Sequence, residues 1–99
     1  MGVVALSEIQ QIALARYGRA FRGAKSETNA MTRLSSGDTL KHARAAITPT
    51  EAAALDFIAG KGLSLDELAT KANAPAEHIA GLLRSAAAKL ADHFESTTE

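Results

Sequence analysis

The side chains in this 99-residue chain best placed to do chemistry are cations rather than nucleophiles. Arg16, Arg19 and Arg22 recur at every third position, and Lys71, His78, Arg84, Ser85 and Lys89 follow in the second half. Guanidinium and ammonium groups at such intervals can neutralise successive phosphates, and imidazole or hydroxyl groups among them can reach phosphate oxygens or base edges. The same arginines would serve equally as a solvated helix face. No Ser, Lys or Asp lies in a nucleophile motif, and SSGDTLKH lacks the G-x-x-x-x-G-K-[ST] spacing of a phosphate loop. His42, His78 and His93 stand at no metal-ligand spacing from one another, and there is no cysteine. Glu51, Asp56, Asp66 and Glu67 read as helix caps and first-turn charges. The expectation is a protein without enzymatic activity, metal or cofactor.

Net charge is zero, but it is divided unevenly. Up to Thr48 seven bases face three acids (+4), and from Pro49 onward four bases face eight acids (−4). That split suits an anionic partner for the first half. It suits equally well two halves, or two copies, that attract each other. The apolar share is 46% but rich in alanine, and aromatics are 4%. Such a composition predicts a thin helical core in which Leu, Ile and Phe supply most of the burial. Absence of cysteine favours an intracellular, cytoplasmic setting. No apolar run approaches the roughly 20 residues of a membrane span. MGVVALSE lacks the basic start of a signal peptide.

These cations need helices to hold them. Ser7 with Gln10 makes a capping box, and Ile9, Ile12, Ala13, Tyr17, Ala20 and Phe21 recur at helical spacing up to Gly23, a natural stop. Residues 24–38 turn to Ser, Thr, Asn, Gly and Lys, with Met31 and Leu34 as anchors, and read as a loop with room for one helical turn. A short helix over 39–46 follows, capped by Ser36 or Asp38, with Leu40, Ala43 and Ile47 as its apolar positions. Thr48-Pro49-Thr50-Glu51 is the cleanest helix start: a capping box with proline in the first turn. Ala52, Leu55, Ile58 and Ala59 form its buried side, and Gly60 and Gly62 end it. Ser64 and Glu67 repeat the box for a helix over 65–72, with Leu65, Leu68, Ala69 and Ala72 turned inward. Asn73 suits a left-handed turn. Pro75 restarts the chain, and Ile79, Leu82, Leu83, Ala86, Leu90 and Phe94 make a long apolar stripe. With no strand pattern and no repeat, the predicted fold class is all-α: a small helical domain with a C-terminal helix-turn-helix and a long last helix.

The helix-turn-helix expectation rests on spacing. A small residue, Ala69, lets the second helix cross closely, and Asn73 turns the chain four places later. Ile79 and Leu82 tuck the second helix down, with Leu68, Ala72 and Ala74 filling buried positions between. The run 47–94 resembles region four of bacterial sigma factors and the related DNA-binding domain of quorum-sensing and response regulators. Thr48, Pro49, Glu51, Gly62, Leu63, Ser64, Leu68, Ala69, Ile79, Leu83 and Leu90 carry that resemblance. Residues 1–46 are expected to form an N-terminal basic helical segment, 47–95 the helix-turn-helix domain and 96–99 a frayed tail.

The resemblance implies a cytoplasmic, bacterial-type transcription regulator that docks residues 75–89 in the major groove of double-stranded DNA. Lys71, His78, Arg84, Ser85 and Lys89, with Arg16, Arg19 and Arg22, would be its DNA contacts. The sequence departs from the family at the exposed start of the second helix. There, polar or basic readers give way to Pro75, Ala76, Glu77, His78, Ala80 and Gly81. That departure keeps a second expectation open, a degenerate helix-turn-helix that binds RNA polymerase or another transcription regulator as co-activator or antagonist. The small flank Ala80, Gly81, Ala87 and Ala88 would then meet a partner or a second copy in a homodimer, rather than simply favouring helix. A DNA-packaging adaptor is a third expectation. No membrane association is expected.

Overall fold

The computed structural model describes residues 6–97, and among these every regular element is helical. Helix α1 spans Glu8–Ala24, α2 Ala30–Ala45, α3 Pro49–Leu55, α4 Leu65–Ala72 and α5 Ala76–Thr97. A wider π-helical stretch, Asp56–Gly60, continues α3. No helix among the described residues is long and apolar enough to cross a membrane.

Three helix starts follow directly from local chemistry. Ser7, Thr48 and Ser64 each accept a hydrogen bond from the backbone N–H three residues on, and Gln10, Glu51 and Glu67 return it. Each box satisfies two donors that the helix cannot pair internally. Between α4 and α5 the chain turns at Asn73, whose φ of 55° and ψ of 47° are left-handed. The Ala74 N–H reaches back to the Ala69 carbonyl at 3.0 Å, closing the end of α4. A single left-handed asparagine thus sets the direction in which α5 departs.

Helix α2 corrects the sequence reading of 24–38. It begins at Ala30, capped by the Asn29 side chain accepting from the Thr32 N–H, so Ser36 and Asp38 lie inside the helix and cap nothing. Ser, Thr and Gly weaken a helix in isolation, but α2 gains from the cap and from burying Leu40 and Ala43. Met31 and Leu34 are not anchors: they are 77% and 69% exposed. Ile9 and Ile12 are also half exposed, at an open cavity they line with Ala91 and Phe94 of α5.

Two apolar clusters hold the fold. The larger takes Ala13, Tyr17 and Phe21 from α1, Leu40 and Ala43 from α2, Leu55 from α3, and Leu83, Ala86, Leu90 and Phe94 from α5. The smaller takes Ala54, Leu68, Ala69 and Ile79, with Leu65, Ala74 and Leu82 packed against it. It fastens α4 to α5 and both to α3. Ala72, expected inside, is exposed. The expected tail is helical to Thr97, and residues 98–99 lie outside the described residues.

A polar triangle borders the larger cluster. The Tyr17 hydroxyl donates to Asp56 at 2.7 Å, while Arg44 donates to the Tyr17 oxygen at 3.1 Å and to Asp56 at 2.6 Å. Burial is the main reason the Tyr17 hydroxyl is pushed up to about 12, with Asp56 adding to the rise and Arg44 opposing it. The pairing with Asp56 and Tyr17 raises Arg44. Asp56, read from the sequence as a cap or first-turn charge, joins α1 to α2 through this triangle.

Candidate nucleic-acid interface

The eight predicted contact residues do not form one surface. On α5, His78, Ser85 and Lys89 are spaced i, i+7, i+11 and therefore share a face. That face turns toward α3. The Lys89 ammonium donates to both carboxylate oxygens of Glu51, at 3.1 and 3.2 Å, and the Glu51 side chain is only 5% exposed. Burial by itself would raise the Glu51 carboxyl. Donation from the Ser85 hydroxyl, the Thr48 N–H and Lys89 outweighs burial and holds it down at about 2. Lys89 thus ties α5 to the start of α3 while its side chain stays 43% exposed, and Ser85 stands beside the same carboxylate. The sequence held a signal for this pair: a capping-box glutamate with one oxygen to spare, and a lysine on the apolar helix that covers it.

His78 stands at the rim of an apolar cleft of about 280 Å³ walled by Ala53, Phe57, Leu68, Ile79 and Leu82. Lys71, in the last turn of α4, is exposed and lies 5.8 Å from the Phe57 ring centre. Lys61 lies over the same ring at 4.9 Å. Both residues are exposed, with their ammonium groups near one aromatic ring.

Arg84 is exposed and, with Glu77, Gly81 and Ala88, makes the outward stripe of α5. It has no hydrogen-bond or ion-pair partner among the described residues. The small flank expected beside it is largely internal: Ala80 and Ala87 are 9% and 0% exposed, because α5 packs on α3 and α4 along that side. Gly81 is half-buried and Ala88 exposed, and a Cβ added at Gly81 would meet nothing within 4 Å.

The three α1 arginines also part company. Arg22 donates to the Ala59 carbonyl at 3.1 Å, capping the end of the π-helical stretch where the helix dipole favours a cation. Arg16 lies over the Phe94 ring at 4.3 Å from its centre, joining α1 to the far end of α5. Arg19 has no hydrogen-bond or ion-pair partner among the described residues. Arg44, which the sequence reading left unassigned, is taken by Tyr17 and Asp56.

Of the expected contacts, Arg16, Arg19, Lys71 and Arg84 are exposed cations without a hydrogen bond or ion pair among the described residues, and His78 lies at a cleft rim. Among the described residues no group of His, Cys, Asp or Glu could hold a metal ion. No family model matches the chain, and no curated protein or solved structure matches it.

Proposed function

We propose that the chain is a double-stranded-DNA-binding module acting in transcription, with α4, the turn and α5 working as a helix-turn-helix. The observation that supports this most is the joint between the two helices. Asn73 is left-handed, Ala69 and Ile79 are buried beneath it, and Lys71 and Arg84 stand exposed on the two helices it connects. With Lys89 paired to Glu51, little is left on α5 for reading bases. Binding in this reading is led by phosphates, and so is steep in salt and tolerant of sequence. Titration of a fluorescent mixed-sequence duplex at low salt tests it. Arg84→Ala and Lys71→Ala should each weaken binding several-fold, and absence of binding by the unaltered chain would remove the reading.

A second reading is a helix-turn-helix that engages RNA polymerase or another transcription regulator. The cleft beside His78 favours it: the walls are apolar, and the exposed Ala53 and half-buried Leu82 and Phe57 offer a partner surface to cover. Here Ala53→Glu should abolish co-elution with the polymerase on gel filtration while leaving duplex affinity intact. Co-elution that survives Ala53→Glu would exclude the cleft.

A further inference from the structure

We propose that the groove between α1 and α2 is a seat for a phosphate group, built from Arg16, Arg19, Ser35, Ser36 and Thr39. It deepens the DNA-binding reading by adding a phosphate seat remote in sequence from α4 and α5, yet it stands on its own geometry.

The groove exists because α1 and α2 cross closely. At Gly23 an added Cβ would lie 2.2 Å from the Ser36 Oγ and 2.8 Å from its Cβ, so only glycine lets the helices meet there. That approach sets a row of α2 hydroxyls against the Arg16–Arg19 side of α1. Together with Ala20 they line an open groove of about 170 Å³. The volume suits a tetrahedral oxyanion rather than a large organic ligand.

Its chemistry is one-signed. Arg16 and Arg19 line it and no carboxylate does, while Glu95 lies with Arg16 and Phe94 on the neighbouring cavity. The nearby acid of α2, Asp38, is turned to His42 at 3.8 Å. Arg16 is already ordered by the Phe94 ring, so less side-chain freedom is lost when it takes an anion. Arg19 is exposed and supplies a second planar fork that matches phosphate oxygens. The Thr39 hydroxyl donates to the Ser35 carbonyl at 3.1 Å and so contributes position rather than a proton. The Ser35 and Ser36 hydroxyls have no hydrogen-bond partner among the described residues and are available as donors. Two adjacent cations with hydroxyl donors, and no carboxylate lining the groove, are a site for an anion with several acceptor oxygens.

The phosphate could come from a nucleic-acid backbone or from a free phosphate, and two titrations on the full chain separate these sources. In the first, inorganic phosphate is added at constant ionic strength against chloride while amide NMR shifts are followed. Saturable shifts at Arg19, Ser35 and Ser36 are expected, weakened about tenfold in Arg19→Gln and also in the Ser35→Ala/Ser36→Ala pair. Both variants alter groove-lining positions outside the apolar clusters, and their unchanged spectra elsewhere establish that they fold. No saturable shift in the groove, or equal shifts in all three proteins, overturns the site. In the second, duplex DNA replaces phosphate. If the backbone is the source, Arg19→Gln weakens duplex binding and lowers the slope of log affinity against log salt by about 0.9. If duplex affinity is unchanged while the phosphate shifts persist, the site serves a free phosphate. Duplex binding absent from the unaltered chain removes the DNA reading and leaves the phosphate titration to decide the groove.

Discussion

Glu51 ties one of the expected contact cations, Lys89, into the fold. Its carboxylate returns the capping bond to Thr48 at 2.8 Å and also holds Lys89, while being almost fully buried. Its folded value of about 2 lies below the ordinary 4.5. Its contribution to stability is therefore complete above about pH 4.5 and is lost as pH falls through about 2. Between pH 5 and 2 the unaltered chain should lose about 3 kcal/mol more stability than Glu51→Gln, which carries no charge to titrate there. Urea unfolding at the two pH values measures the difference. Parallel losses in both proteins would show that the Glu51–Lys89 pair contributes no pH-dependent stability.

At the scale of elements, the capped and strongly periodic segments were legible, and the one dominated by tertiary packing was not. Thr48, Ser64 and Asn73 each act within a few residues of their own position, so the start of α3, the start of α4 and the turn before α5 could be read from order alone. Helix α2 could not, because what stabilises its Ser- and Thr-rich half is α1 beside it rather than its own periodicity. The glycines make the same distinction testable. Gly37 lies within α2 with open space around its missing Cβ, whereas a Cβ at Gly18 would sit 2.4 Å from the Ala59 carbonyl oxygen. Gly37→Ala should therefore stabilise by about 0.5–1 kcal/mol, and Gly18→Ala should destabilise by about 1–3 kcal/mol. For a domain of this size each kcal/mol moves the melting temperature by roughly 4–8 °C. A Gly37→Ala protein that melts lower would mean that α2 is not a continuous helix there.

Across the whole molecule the sequence supplied the cations of the candidate site but not their neighbours. Arg22 and Lys89 look equivalent in order to Arg19 and Arg84, yet the carbonyl of Ala59 and the carboxylate of Glu51 stand beside them. Pairing of that kind is set by helices far apart in the chain and leaves little local signature. The +4 and −4 halves meet in an ion pair. Arg44 with Asp56 joins one half to the other, and Lys89 with Glu51 ties the second half to itself. Of the eight expected contacts, Arg16, Arg19, Lys71 and Arg84 are exposed cations with no hydrogen bond or ion pair among the described residues, and Lys71 and Arg84 are the ones on α4 and α5. The salt dependence of duplex binding reads that set most directly. Affinity should fall linearly on a log–log plot against salt, and Lys71→Ala/Arg84→Ala should reduce the slope by about 1.8, or about 0.9 for each phosphate no longer neutralised. A duplex affinity and slope identical in the unaltered and doubly substituted proteins would contradict the assignment of α4 and α5 as the DNA-binding unit.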